Sequence, residues 1–279
     1  MTNSPSTLIR PPPPVAELAL FRNEHPTHSL SRRTIAADGV AHRLFLAVPR
    51  SSPPAGGFPI LYLLDGNAAF DLMDAGQLAA ASGLILAGIG HDTDLRFDPP
   101  ARSRDYTPAR HAGDPYPDPN RPDRLIGGAG AFLQRLTGPI RESVEAGLPV
   151  DPARRMLFGH SLAGMFALYT LLKRPGAFRH IAAASPSIWW GDEIMLELEA
   201  KTGDPGEPHD VLITLGDSER RSSPAGPHWQ GPAPHTLEMI RRLSQRNNIS
   251  VTSRVLEGLG HAATLPATLP LLPAFARNG

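Results

Sequence analysis

The sequence of 279 residues contains no cysteine, which excludes disulfide bonds, thiolate metal sites and a cysteine nucleophile. An excess of charge of one sign is also absent, because Lys plus Arg and Asp plus Glu each number 27. A formal net charge of zero gives no bulk electrostatic reason to expect a nucleic acid or a membrane surface as a partner. We therefore expect neither kind of partner.

Long hydrophobic runs are missing as well. The longest, residues 78–89, is interrupted by a serine and a glycine and falls short of the roughly 18–20 residues that span a bilayer. Residues 1–14 lack the basic start and the continuous apolar stretch of a secretory signal. We expect a soluble, cytoplasmic protein with a Pro-rich lead over residues 1–28 and a single domain over residues 29–279.

Strands and helices are predicted to alternate after an N-terminal hairpin. Asp38-Gly39 lies between two runs of alternating apolar residues, which is a strong hairpin signal. The almost wholly apolar run Phe58–Leu64 is typical of a strand buried on both faces. Strand-like and helix-like segments then alternate to the end of the chain. This order predicts an α/β fold with a mostly parallel central sheet, helices on both faces and an antiparallel hairpin at its start.

One long segment interrupts this alternation. Residues 92–122 are polar, rich in proline and arginine, and show neither helical nor strand periodicity. A stretch of about 30 residues without regular structure is uncommon inside a domain and is often functional. We predict that this segment is a loop that covers the cleft.

The most informative stretch is Gly159-His160-Ser161-Leu162-Ala163-Gly164, which follows three apolar residues and precedes a helical pattern. Small residues around a serine are typical of a nucleophile elbow, a tight strand–turn–helix that lifts the hydroxyl above the sheet. The backbone N–H of Leu162 then points at the same space. The alternative is an ordinary strand–turn–helix in which Ser161 caps the helix.

Four polar clusters lie at predicted carboxyl ends of strands, where reactive groups gather in such sheets. They are residues 65–67, Ser161, residues 217–219 and His261. A serine needs a base within hydrogen-bond reach to become a nucleophile. His261, in a Gly-rich loop after the last strand, is the predicted base. The chain order nucleophile, acid, histidine is that of the α/β-hydrolases.

The acid and the oxyanion donors are less closely defined. Asp217 and Glu219 can both accept from the histidine, and we favour Glu219 because the extra residues let the loop turn toward the base. The alternative is a solvated acid paired with a neighbouring arginine. Two backbone donors are needed for the oxyanion, and we predict the N–H groups of Leu162 and Asn67. The alternative for residues 65–67 is a plain turn.

Signals for a cofactor or a metal ion are weak. Gly127-Gly128-Ala129-Gly130 does not follow a predicted strand, so a dinucleotide site has little support. The histidines other than His261 are scattered, and none forms a metal-ligand pair at helical spacing. We predict neither a cofactor nor a metal.

Four blocks of the sequence carry a family resemblance. In chain order they are Leu61–Ala68, Arg102–Pro108, Gly159–Gly164 and Ser185–Trp190. Together they resemble the putative-esterase branch of the α/β-hydrolases, and within it the ferric-siderophore esterases that hydrolyse enterobactin, salmochelin or bacillibactin. The resemblance covers about residues 30–275.

The resemblance implies roles for particular residues. Ser161 is the implied nucleophile, His261 the base, and Asn67 and Leu162 surround the oxyanion. The implied lining of the substrate cleft consists of Arg102, Arg104 and Trp189. Catecholate siderophores are aromatic and polyanionic, which suits arginine and tryptophan. The alternative is that Arg104 and Asp105 form a structural ion pair and that Trp189 and Trp190 belong to the core.

Two features depart from the family pattern: the signal or anchor of periplasmic relatives is missing, and residues 92–122 are unusually rich in proline. The acid also varies in this branch, so a Ser–His dyad stays open. We expect a serine esterase that forms an acyl-enzyme, with the trilactone of a catecholate siderophore as the implied substrate. The alternatives are a general carboxylesterase, an acyltransferase of the same fold, and a non-catalytic ligand-binding protein.

Overall fold

The central feature of the protein is one eight-stranded sheet. A computed structural model describes residues 13–111, 113, 115–221 and 228–277, and all structural statements concern these residues. The strands are β1 (His28–Ala37), β2 (Val40–Pro49), β3 (Phe58–Leu64), β4 (Ile85–His91), β5 (Tyr116–Asp118), β6 (Arg121–Ile126), β7 (Val150–His160), β8 (His180–Ala184), β9 (His209–Gly216), β10 (Arg220–Arg221), β11 (Trp229–Gln230) and β12 (Ile249–Leu256).

Helices connect most of these strands. They are α1 (Gly66–Leu72), α2 (Ala75–Ala80), α3 (Pro99–Tyr106), α4 (Ala129–Arg135), α5 (Arg141–Glu145), α6 (Leu162–Lys173), α7 (Trp190–Ala200), α8 (Pro234–Leu243), α9 (Thr264–Thr268) and α10 (Leu272–Arg277).

The sheet has the order β1-β2-β4-β3-β7-β8-β9-β12. β1, β2 and β4 pair antiparallel, and every pairing from β4 to β12 is parallel. The β1–β2 turn places both Asp38 and Gly39 at positive φ (49° and 77°), as a two-residue type I′ turn requires. The predicted α/β fold with its N-terminal hairpin is confirmed.

Two apolar clusters cover the two faces of the sheet. In β3 the side chains of Tyr62 and Leu64 join one cluster, and Leu61 and Leu63 join the other, because successive strand residues point to opposite faces. Helices α4, α6, α7 and α8 contribute to the first cluster, and α1, α2, α9 and α10 to the second. Because β3 is buried on both of its faces, its sequence is apolar throughout.

The expectation of a segment without regular structure over residues 92–122 is wrong. This segment contains α3, β5 and the first two residues of β6. Asp98 caps α3 by accepting from the N–H of Ala101 at 3.0 Å. Pro99 and Pro100 occupy the first turn, where a helix needs no N–H donor. The prolines that resemble loop residues in sequence therefore begin a helix.

The described part of the Pro-rich lead is packed onto the domain. Val15 forms an isolated bridge with Leu95, and Leu20 is buried in a short 3₁₀ helix, residues 19–22. The N–H of Leu18 donates to Asp71 Oδ1 at 2.8 Å. Residues 1–12 of the predicted lead lie outside the described residues. No helix in the described part of the chain is both long and apolar enough to cross a membrane.

Buried histidines distinguish the interior of this protein. The pKa values of five of them are lowered, chiefly because burial penalises the charged ring; the value is about 4 for His42 and about 3 for His160. The set comprises His28, His42, His160, His180 and His209. Each ring therefore takes up its proton at a lower pH in the folded chain than in the unfolded chain, which protonates its histidines below about pH 6.5. The unfolded state then binds more protons, so stability is present above that pH and is lost as the pH falls.

We predict that His42→Gln reduces the pH dependence of the free energy of unfolding. The reduction between pH 6.5 and about pH 4 is up to about 1.4 kcal/mol per pH unit, the contribution of one proton. Urea unfolding at pH 7, 6 and 5 measures the slope. His228→Gln, at an exposed position, is the matched control. Equal slopes for wild type and His42→Gln would contradict the assignment.

Candidate active site

The turn between β7 and α6 is strained at Ser161. This residue has φ 61° and ψ −118°, outside the regions that L-residues favour. A Cβ on Gly159 would lie 2.2 Å from the carbonyl oxygen of Ala163, and one on Gly164 would lie 3.0 Å from that of Gly159. Only glycine at these positions lets strand and helix approach so closely, which explains the spacing of small residues around the serine.

Three side chains from distant parts of the chain form a continuous hydrogen-bonded line. Ser161 Oγ lies 2.9 Å from His261 Nε2, and His261 Nδ1 lies 3.1 Å from Glu219 Oε2. Ser161 follows β7, Glu219 follows β9 and His261 follows β12, so parallel strands bring all three to one edge of the sheet. This is the geometry in which a histidine can take a proton from a serine.

Glu219 is buried, with 4% of its side chain exposed. Its Oε1 accepts from Ser185 Oγ at 2.6 Å and from the N–H of Gly216 at 2.9 Å. Burial alone would raise its pKa, but hydrogen bonds from His261, Ser185 and Gly216 lower it below the ordinary value. The carboxylate therefore stays ionised and orients the imidazole.

Asp217, the other acid considered from the sequence, has different partners. Its Oδ1 accepts from Ser218 Oγ at 2.9 Å and from the N–H of Gly258 at 2.8 Å. These contacts hold the loop together. Of the two acids, Glu219 is the one within hydrogen-bond distance of His261.

Two further residues fix the backbone of His261. His160 Nε2 donates to the carbonyl oxygen of His261 at 2.9 Å, and Thr264 Oγ1 donates to the same oxygen at 2.8 Å. Burial, with the nearby His261 adding to it, lowers the pKa of His160 to about 3, so its ring is a neutral donor. No role was predicted for His160, whose one signal in the sequence is its place directly before Ser161.

Ser187 places a second hydroxyl beside that of Ser161. Its Oγ lies 3.1 Å from Ser161 Oγ, and its N–H donates to the carbonyl oxygen of Ser161 at 3.1 Å. Ser187 is buried. It belongs to the Ser185–Trp190 block quoted for the family resemblance, but no role was predicted for it.

The predicted oxyanion donors lie at two helix N-termini. Leu162 is the first residue of α6, and Asn67 the second of α1. The first N–H groups of a helix have no intrahelical acceptor and are therefore available to an anion. The side chain of Asn67 points elsewhere, with Nδ2 donating to the carbonyl oxygen of Thr93 at 2.7 Å. The backbone N–H is thus the group of Asn67 that suits this role.

Both arginines predicted to line the cleft are engaged with carboxylates. Arg104 forms a bidentate pair with Asp105, at 2.9 and 2.8 Å, as the alternative interpretation anticipated. Asp105 also accepts from Arg135 at 2.8 Å. The guanidinium of Arg102 binds both oxygens of Asp65 at 3.0 Å. With 31% of its side chain exposed, Arg104 is more accessible than Arg102, at 14%.

Trp189 is part of a stack of aromatic and cationic side chains rather than of the core. The Arg221 guanidinium carbon lies 3.2 Å from the centroid of the Trp189 ring, and the ring centroids of Trp189 and Trp229 are 6.2 Å apart. Trp189 is half-buried. Trp190, by contrast, packs against the main apolar cluster. An aromatic surface therefore adjoins the segment that carries Ser187.

A comparison with known protein families identifies the family of this chain. A family model described as "Putative esterase" matches residues 40–248, which is well over half of the chain. The chain therefore belongs to this family of carboxylic ester hydrolases with the α/β-hydrolase fold.

Several of the relatives are named as siderophore esterases. The chain is 29% identical over 257 residues to the ferri-bacillibactin esterase BesA of Bacillus subtilis, covering 84% of each protein. It is 39% identical over 165 residues to an apo-salmochelin esterase of Escherichia coli, covering 58% of this chain and about half, 52%, of that protein. The solved enterobactin and salmochelin hydrolase IroE superposes with a TM-score of 0.74 at 27% identity, covering 92% of this chain and 98% of that one.

We predict that Glu219→Gln lowers kcat on the order of 1,000-fold, because glutamine keeps the shape of the acid but neither its charge nor its orientation of the imidazole. Steady-state hydrolysis of an activated aryl ester measures the change. Asp217→Asn, which keeps the acceptor for Gly258, is the matched control and should stay within about threefold of wild type. The opposite ranking would identify Asp217 as the acid, and two unaffected variants would indicate a Ser–His dyad.

Proposed function

We propose that the protein is a serine esterase that hydrolyses a siderophore ester through an acyl-enzyme. The observation that carries the proposal is the unbroken line of hydrogen bonds from Ser161 through His261 to Glu219. The family supplies the ester-hydrolase class. The site supplies the groups that a serine mechanism needs, namely a nucleophile, a base, an orienting acid and two free backbone donors.

In the first half-reaction Ser161 Oγ attacks the ester carbonyl carbon while its proton passes to His261 Nε2. Negative charge moves to the carbonyl oxygen, which the N–H groups of Leu162 and Asn67 stabilise. The C–O bond to the alcohol then breaks, and the leaving oxygen takes the proton from Nε2. Glu219 holds Nδ1–H throughout and stabilises the imidazolium.

In the second half-reaction water replaces the alcohol. His261 takes a proton from water, the resulting hydroxide attacks the acyl carbon, and the bond to Ser161 Oγ breaks as that oxygen recovers a proton from Nε2. The side chain of His261 is 40% exposed, so water can reach the base directly. This exposure favours hydrolysis over transfer of the acyl group to another alcohol.

The substrate class is inferred from the relatives and from the groups beside the site. The named relatives act on bacillibactin, salmochelin and enterobactin. The Trp189–Arg221–Trp229 stack and the partly exposed Arg104 offer aromatic and cationic contacts. Such contacts suit an aromatic, anionic siderophore. We infer that the ester is a lactone bond of a catecholate siderophore.

We predict that a fluorophosphonate probe labels the wild-type protein at a single site and that Ser161→Ala abolishes the labelling. The probe reacts with an activated serine and not with an ordinary one, because activation requires the paired base. Intact-mass spectrometry counts the adducts. Ser250→Ala, an exposed serine near the opposite end of β12, is the control and should keep full labelling. A folded wild type without any label would favour the non-catalytic binding protein.

We predict that Trp189→Ala raises KM for an iron-loaded triscatecholate lactone by about tenfold, equivalent to about 1.4 kcal/mol. The KM for a neutral short-chain aryl ester should change less than threefold, because that ester is too small to use the stack. Trp189→Phe retains an aromatic ring and should retain most of the affinity. Side-by-side kinetics on siderophore, short aryl and cinnamoyl esters test this. Equal effects on all esters would count against the siderophore and favour a general carboxylesterase.

A further inference from the structure

One guanidinium connects the two strand ends that carry the predicted oxyanion donors. Arg102, on α3, binds both carboxylate oxygens of Asp65 at 3.0 Å, and its NH2 group donates to the carbonyl oxygen of His160 at 3.3 Å. Asp65 directly follows β3 and precedes Asn67 by two residues. His160 ends β7 and precedes Leu162 by two residues. Each end of this bridge is therefore two residues from one donor.

The Asp65 end of the bridge is held from several sides. Asp65 is 4% exposed and adopts the left-handed conformation (φ 52°, ψ 48°), and its side chain makes no capping bond to α1. The Tyr106 hydroxyl accepts from the N–H of Asp65 and donates to its Oδ1, both at 3.3 Å. The carboxylate is thus used to hold the bridge and not to cap α1.

The Arg102 end is equally confined. Its guanidinium carbon lies 5.0 Å from the ring centroid of Phe97 and 5.8 Å from that of Tyr106. Only 14% of the side chain is exposed. Turning this group toward a substrate would leave the buried Asp65 carboxylate without its cation, which is strongly unfavourable. The family resemblance implies that Arg102 contacts the substrate. In the structure its guanidinium instead binds Asp65 and the carbonyl oxygen of His160.

We propose that Arg102 is a positioning residue that sets the separation of the Asn67 and Leu162 N–H groups, and so builds the oxyanion hole. This inference rests on the proposed serine-esterase function. Oxyanion donors act only when they lie about 2.7–3.1 Å from the developing charge. A misplacement of about 1 Å can cost roughly 100-fold in rate. A planar guanidinium can hold a carboxylate and a carbonyl at a fixed separation, whereas the single ammonium of lysine cannot.

The decisive variant is therefore Arg102→Lys, which keeps the positive charge but loses the bridge. We expect kcat on a neutral aryl ester to fall on the order of 100-fold, with KM changed less than threefold. Affinity for an alkyl boronic acid, which forms a tetrahedral adduct on the serine, should fall in parallel with kcat. A purely structural loss of folded protein would lower the active fraction and leave this affinity unchanged.

Arg154→Lys is the matched control. Arg154, in the amino-terminal half of β7, makes the same combination of contacts, with Asp151 Oδ2 at 2.7 Å and the carbonyl oxygen of Gly57 at 3.2 Å. Its replacement should leave kcat within about threefold of wild type.

Tyr106→Phe is a milder second variant should Arg102→Lys unfold. It removes only the hydroxyl that contacts Asp65 and should lower kcat about three- to tenfold without changing KM.

The outcomes separate the two proposals. An active wild type whose Arg102→Lys variant keeps kcat on the neutral ester, and loses only affinity for an anionic siderophore, would overturn the positioning role and restore the substrate contact. A folded wild type with neither turnover nor fluorophosphonate labelling would overturn the esterase proposal and the positioning role with it. A fall in kcat and boronate affinity in Arg102→Lys, with Arg154→Lys unaffected, is the predicted result.

Discussion

The hydrogen bond between Ser161 Oγ and His261 Nε2 is the contact on which the rest of the site depends. It exists because a strained residue at φ 61° lifts the hydroxyl off the end of β7, and because the two glycines around it leave room for α6 to turn back. The strain is maintained by backbone bonds. The N–H of Ser161 donates to Ala184, and its carbonyl oxygen accepts from Ser187 and Met165.

A second layer of buried polar groups holds His261 within hydrogen-bond distance of the Ser161 hydroxyl. Ser185 donates to Glu219 and also lies 2.8 Å from Thr264, which in turn donates to the carbonyl oxygen of His261. His160 donates to the same carbonyl from the elbow itself. Glu219, His261 and Ser161 therefore share supports that come from four different strand ends. Such a buried network of polar groups favours one arrangement of the site.

Local signals made much of this predictable from the sequence. Three features were predictable because each depends on residues that are neighbours in the chain. They are the glycines at the elbow, the Asp38-Gly39 turn of the hairpin and the apolar run of β3. Other non-local contacts escaped prediction, because nothing in the sequence indicates that Arg102 meets Asp65 and His160, or that His160 supports His261. The prediction for residues 92–122 was wrong for another reason. Prolines that are permitted in the first turn of a helix look the same in sequence as prolines that end a helix.

The proposed mechanism requires a covalent bond between Ser161 Oγ and the acyl group of the substrate. Rapid acid quenching during the first turnovers of an activated aryl ester, followed by peptide mass spectrometry, measures that bond directly. We expect the mass of the acyl group on the peptide that contains Ser161, appearing faster than steady-state turnover and absent from Ser161→Ala. Hydrolysis that proceeds without any acyl adduct on that peptide, or with the adduct on another residue, would contradict the central claim.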